Sequence, residues 1–286
     1  MNAYEMLEQV RYNIGETTEA HWKDKMLLRQ LNMDHREVAR KILDAPGDWL
    51  LKKSDSLTPS SSQLSLPSDC VKPAAIEEVS SGRVIPVRGT VRERRVGRMA
   101  GTSLSAGTVE AYLIGNKIEV NMDSYGEACY VWYQKRVIDL HAGLCGSSTD
   151  ATHVQFELTH WPSGEDDYYN GVTVQVRDQS DHILNVDAVI TDYTGQTASA
   201  TITSAIATPA SGDYYGTVSQ LPVEVLPVVL LRSTVKALAR PSSTFEKEIF
   251  SFYLSELKRA EEELDEFLAT RISGSTYSRI VEVDHG

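Results

Sequence analysis

The sequence predicts an α+β protein: an antiparallel helical bundle built from both chain ends, with β elaborations and an inserted all-β sandwich or barrel. Three observations predict it. Apolar residues recur at helical spacing near both termini, and the middle of the chain alternates with period two. Charge is also unevenly divided: residues 146–220 hold ten acids against one base, Arg177, while residues 1–145 are neutral overall. Such a composition break marks a separately folded unit. The expected organisation is a bundle core from 1–145 and 221–272 with a β arm at about 49–138. An inserted β-domain occupies 146–220, and 273–286 is an extended tail.

The first helix takes Ala3, Met6, Leu7, Val10 and Ile14 on one face, with Gly15 as its stop. A second starts near Asp24, carries Leu27, Leu28, Leu31, Val38, Ala39 and Ile42, and ends before Pro46, because proline disfavours helix in the preceding residue. His35 falls between apolar positions and reads as a half-buried surface histidine. Trp49-Leu50-Leu51 opens a strand, and Leu64-Ser65-Leu66 alternates before a turn at Pro67-Ser68-Asp69. Arg83–Arg88 alternates around Val84 and Val87, and Pro86 argues for a sheet edge. Val109–Leu113 and Ile118–Val120 flank Gly115-Asn116 as a hairpin, and Cys129–Val137 is a strand rich in aromatic and β-branched residues.

Within 146–220 the alternating runs are Val154/Phe156/Leu158, Val172/Val174/Val176, Ala188/Ile190 and Ala198/Ala200/Ile202, separated by turn residues such as Asn170-Gly171 and Thr194-Gly195. Helix returns over Val223–Arg240 and stops at Pro241. Ser243 and Glu246 form a capping box, in which each side chain satisfies the other residue's free amide. The helix that follows runs to Ile272 with Ile249, Tyr253, Leu257, Ala260, Leu264 and Phe267-Leu268 on one face.

Composition excludes several classes. With 41% apolar and 24% charged residues the chain is neither disordered nor a polytopic membrane protein. A net charge of −12 argues against a general nucleic-acid binder, including a monomeric DNA-binding regulator. Cys70, Cys129 and Cys145 show neither disulfide nor zinc spacing. Residues 1–20 lack the apolar core of a signal peptide, and the most apolar segment, 221–231, is too short to span a bilayer, so synthesis in a reducing cytosol is expected.

No GxSxG, HExxH, P-loop or GxGxxG occurs, and the seven histidines are scattered. His153 and His160 sit seven apart, on opposite faces of an alternating strand, and Asp166, Asp167 and Asp192 match no EF-hand loop. No catalysis, metal or cofactor is therefore expected. Glu256, Arg259, Glu262 and Glu263, with Lys258 and Glu261, suit polar subunit contacts. The basic run Arg92–Arg98 reads as a solvated segment or as a contact to phosphate or an acidic partner. A different class is a carbohydrate-binding or glycan-cleaving tail component. It draws on Trp161, Tyr168, Tyr169, Tyr193, Tyr214 and Tyr215, and cleavage would need two carboxylates about 5 to 9 Å apart.

Four stretches, in order, carry a resemblance: Leu27–Ile42 (LLRQLNMDHREVARKI), Leu64–Val71 (LSLPSDCV), Val131–Leu140 (VWYQKRVIDL) and Asp166–Tyr193, with Asp213-Tyr214 and Leu221-Pro222 after the last. Together they resemble the head-to-tail adaptor (connector) proteins of tailed bacteriophages. Two departures are Asp34, where the family often has a small residue, and Val176–Asp181 in place of a family turn. The resemblance implies a homo-oligomeric ring, typically of twelve subunits, at the virion neck. The ring lies under the portal protein and above a tail, nozzle or stopper protein. DNA passes through its channel without sequence-specific binding. It also implies that a chain terminus reaches the portal. Here that is the tail, whose Ser275, Tyr277, Arg279, Ile280, Val281, Glu282 and Val283 suit an extended strand adding to a partner.

Overall fold

The computed structural model describes residues 1–16, 21–45, 47–90, 110–121, 125–147, 149–184, 188–205, 207, 210–239 and 247–270. The chain divides into two compact units, one of Met1–Ala45 with Val137–Gly286, the other of Pro46–Arg136.

The unit Pro46–Arg136 holds β1 (Leu51–Lys53), β2 (Gln63–Ser65), β3 (Cys70–Glu78), β4 (Val84–Thr90), β5 (Ala111–Ile114), β6 (Lys117–Val120) and β7 (Cys129–Lys135). They form one curled sheet in the order β1-β7-β3-β4-β5-β6-β2. All pairs are antiparallel except β4–β5. The β5–β6 hairpin turns through Gly115 at φ +58°, where glycine avoids the clash of a Cβ. Pro86 lies inside the sheet, not at an edge as expected, because β4 is flanked by β3 and β5 and Pro86 is paired with Ala75. Leu64, Ile76, Ile85, Ile118, Val131 and Tyr133 form the core. The Tyr133 hydroxyl donates to Asp69 at 2.6 Å.

The other unit holds β8 (Ala142–Leu144), β9 (His153–Gln155), β10 (Thr173–Arg177), β11 (Ala188–Thr194), β12 (Ser199–Ile202) and β13 (Tyr214–Thr217), an antiparallel curled sheet in the order β8-β13-β10-β11-β12-β9. Residues 146–220 thus share their sheet with Ala142–Leu144 and their unit with the helices. The core is aromatic: Phe156, Tyr169, Tyr193 and Tyr215 pack with Val154, Val174, Val176 and Ile190. Each buried tyrosine hydroxyl finds a partner. Tyr193 donates to the Ser163 carbonyl at 2.7 Å, Tyr169 accepts from the Ser163 amide at 3.4 Å, and Tyr215 meets His141 at 2.7 Å.

The helices are α1 (Ala3–Asn13), α2 (Asp24–Asp44), α3 (Leu226–Leu238) and α4 (Lys247–Thr270). Asn2 and Glu5 form a capping box at the start of α1, each side chain bonded at 2.9 Å to the other's amide. Asp24 opens α2, but the N-cap is Lys23, and the Asp24 carboxylate accepts from the buried Arg11 Nε at 2.6 Å. His35 is fully buried on α2, not half-exposed; its Nε2 meets Ser219 Oγ at 2.9 Å and its Nδ1 has no partner.

The expected antiparallel helical bundle built from both chain ends is overturned. The fold is mostly β, with thirteen strands in two curled sheets and four α-helices among the described residues. Among the described residues each unit carries a single curled sheet, and no separate sandwich or closed barrel is inserted. The reason lies in what the apolar stripes cover. The α1 stripe (Ala3, Met6, Leu7, Val10) lies against β13 and β8 as well as α3. Gly216 on β13 permits that approach, since a Cβ there would stand 2.7 Å from the Tyr4 amide nitrogen. The α4 stripe is only partly used. Ala260, Leu264 and Leu268 are buried, whereas Ile249 is 40% exposed, and Phe252 and Leu254, which lie off the stripe, are 58% and 47% exposed. An amphipathic stripe specifies burial but not the partner, and here a sheet takes much of it.

Candidate functional site

One concavity among the described residues is a groove of about 410 Å³ between α2 and the segment Leu158–Tyr169. Lys25, Arg29, Asn32 and Arg36 recur at steps of four, three and four, and so share one face of α2. Opposite stands a 3-10 turn, Leu158–His160, followed by Trp161.

Two of the four α2 side chains anchor the helix. Asn32 accepts from the Leu140 amide at 2.7 Å and donates to the Leu140 carbonyl at 2.9 Å. The Arg36 guanidinium grips both oxygens of Asp139, with Nε to Oδ1 at 2.7 Å, and this pairing raises its pKa. The other two are free of carboxylates among the described residues. Lys25 Nζ lies 4.9 Å above the Trp161 ring, and Arg29 is exposed without an ion pair. Trp161 is 60% exposed and left-handed at φ +55°, a conformation that bulky residues avoid.

His141 lines the same groove while its ring is buried between Phe156 and Tyr215, at 5.1 and 5.8 Å between centroids. Tyr215 Oη accepts the Glu157 amide proton at 2.7 Å and lies 2.7 Å from His141 Nδ1. His141 Nε2 is buried without a hydrogen-bond partner among the described residues. Burial drives the His141 pKa down to about 3, with His160 pushing the same way and a main-chain interaction with His160 opposing it. His160 Nδ1 donates to the Ala142 carbonyl at 2.7 Å. Both rings are held by the fold.

The other candidate residues fall as follows. Glu256, Arg259 and Glu263 pair within α4, with Arg259 at 2.9 Å from Glu256 and 3.5 Å from Glu263, and Glu262 lies 3.9 Å from Lys258. The tail residues Ser275, Tyr277, Arg279, Ile280, Val281, Glu282 and Val283 lie outside the described residues. So do the run Arg92–Arg98 and the capping box Ser243–Glu246. His153 pairs with Asp150 at 3.0 Å, apart from His160. Asp166 accepts from the Gly195 amide at 2.8 Å and Asp167 from Asn170 at 2.7 Å, so both hold turns. Among the described residues no three His, Cys, Asp or Glu side chains converge as metal ligands. Burial pushes the Cys70 thiol up to about 11 and Cys145 up to about 12, and raises Cys129, so all three remain thiols at neutral pH. Of the six aromatics noted in the sequence, Tyr169, Tyr193 and Tyr215 are core, while Trp161 alone is strongly exposed.

Sequence reasoning missed Lys25, Arg29, Asn32 and Arg36. The signal lies in their spacing of four, three and four, which puts them on one face of α2 beside its apolar stripe. No protein-family model matches the sequence, and no curated protein matches it.

Proposed function

We propose that the chain is a structural protein of the tailed-phage neck, a ring-forming head-to-tail adaptor that joins portal to tail and extends the DNA channel. It is made in the host cytoplasm, works in the virion and catalyses no reaction. The observation that carries this reading is α4. Its second half is docked, with Arg232 gripping Glu261 at 2.8 Å and Lys41 meeting Asp265 at 2.5 Å. Its first half presents Ile249, Phe252 and Leu254 to solvent. A helix held at one end with apolar side chains exposed at the other suits cover by a neighbouring subunit. The order of the four adaptor-like stretches supports the same reading. The tail 275–286 is the portal latch in this scheme. Among the described residues no helix is long and apolar enough to cross a membrane.

Light scattering and electron microscopy of the purified protein test the reading, alone and mixed with portal rings. A closed ring, lost in the double variant Phe252→Glu/Leu254→Glu while circular dichroism is unchanged, is the expected result. A protein that stays monomeric at high concentration and beside portal overturns it.

A further inference from the structure

The groove on α2 contains two cations without a carboxylate partner among the described residues, one of which, Lys25, lies 4.9 Å above the Trp161 ring. Arg36 is engaged by Asp139 and Asn32 by Leu140. Lys25 and Arg29, one helical turn apart, have no carboxylate partner among the described residues. Beside them Trp161 stands in water in a strained backbone conformation. A fold gains little from an exposed indole held there, and it gains more once an occupant covers the ring. Leu28, Met33 and Tyr168 add apolar wall.

The chemistry of the occupant follows from what each class would leave unsatisfied. A neutral sugar could stack on Trp161 but would desolvate Lys25 and Arg29 without answering their charge. A nucleic acid would answer both cations. Its next phosphates, however, would approach Glu165, Asp166 and Asp167, which are exposed on the same segment and lie within a stretch carrying ten acids and one base. Those repulsions act over roughly 8 Å at physiological salt. A single carboxylate beside an aliphatic side chain answers the cations, covers the indole and brings no further anion to the acidic surface.

We propose that this groove docks an acidic–apolar peptide segment of a partner protein. An Asp or Glu carboxylate is held by the planar fork of Arg29 with Lys25 beside it, and a neighbouring aliphatic side chain packs on Trp161 and Met33. A volume of about 410 Å³ admits a few side chains and not a folded domain. The inference does not depend on the neck assignment and would stand for a monomer.

The test is a titration of the full chain by NMR, following the indole N–H signal identified by its loss in Trp161→Phe. The probes are acetyl-Leu-Asp-Ala-Leu-amide, its Leu-Asn-Ala-Leu counterpart, free succinate, decathymidylate and maltohexaose. The acidic peptide should shift the Trp161 signal at millimolar concentration. Affinity should fall about tenfold with the amide counterpart and with Arg29→Gln, as loss of one charge-assisted hydrogen bond implies. Arg83→Gln, an exposed cation of the other unit, should leave it unchanged. Equal binding of the two peptides, indifference to Arg29→Gln, or no response to the acidic peptide overturns the proposal. So does tighter binding of decathymidylate, maltohexaose or succinate than of the acidic peptide.

Discussion

In the unit Pro46–Arg136, seven strands curl over an aliphatic core of Leu64, Ile76, Ile85, Ile118 and Val131, and the described residues are strand and turn throughout. In the other unit, six strands curl over Phe156, Tyr169, Tyr193 and Tyr215, and helices lie on the sheet. All seven histidines of the sequence fall in this second unit. The helical layer is also what creates a groove, because α2 is anchored to Asp139-Leu140 through Arg36 and Asn32, leaving space between those anchors and Trp161. A sheet that completes its own core offers less relief for recognition than one that borrows helices.

The largest expected break in this comparison is Phe156→Ala. Phe156 stacks on Tyr215 at 4.7 Å and meets Tyr169 edge-on at 5.1 Å, so its removal should cost about 3–5 kcal/mol. In a calorimetric scan the loss should fall on the transition of the helix-bearing unit. An equal shift of every transition would show that the two units unfold as one.

Acid should separate the units next. Burial lowers the pKa of His35 to about 4 and of His141 to about 3, from an ordinary 6.5. Between about pH 6.5 and 4 the unfolded chain therefore binds protons that the folded chain refuses. Stability present at neutral pH is lost as the pH falls through that window, by about 1.4 kcal/mol per pH unit for each histidine. In the strand-only unit burial raises the pKa of Asp69, but hydrogen bonds from Tyr133 and Lys52 outweigh it and hold the pKa below the ordinary 3.8, so its contribution is lost only at lower pH. Denaturant titrations from pH 7 to 4.5 should weaken the helix-bearing unit first, and His141→Phe should remove one proton's worth of the slope. An unchanged slope would show that His141 titrates as it does in water.

Ile76→Val should act on the other side of the comparison. Ile76 is fully buried in the seven-stranded sheet, and the lost methylene should cost about 0.5–1.5 kcal/mol in that unit's transition alone. The smallest effect is expected for Arg259→Gln. Its pairs with Glu256 and Glu263 are exposed and local to α4, so stability should change by less than about 0.5 kcal/mol. A larger loss, seen only at concentrations where subunits associate, would place Arg259 at a subunit contact.

Much of the local structure was legible in the sequence. The strand at Cys129–Lys135, the β5–β6 hairpin on Gly115-Asn116 and the starts of α1 and α2 follow from periodicity and turn residues. The 3-10 turn at Leu158–His160 was not foreseen, since Leu158 continues an alternating pattern yet is exposed. Nor was β13, whose short run Tyr214–Thr217 carries a glycine chosen for the approach of α1. Pro86 read as an edge signal because only pairing on both sides reveals its place inside a sheet.

The sequence by itself determined which segments are helix or strand and which faces are apolar, because propensity and periodicity are properties of neighbours along the chain. The tertiary structure alone decided what those faces meet. The α1 stripe found a sheet as well as a helix, His35 and His141 were buried and neutralised, and Lys25 came to lie over Trp161 with Arg29 in the same groove, neither with a carboxylate partner among the described residues. Burial, charge pairing and the shape of a groove depend on residues far apart in sequence, and their energies arise only once the chain has closed on itself.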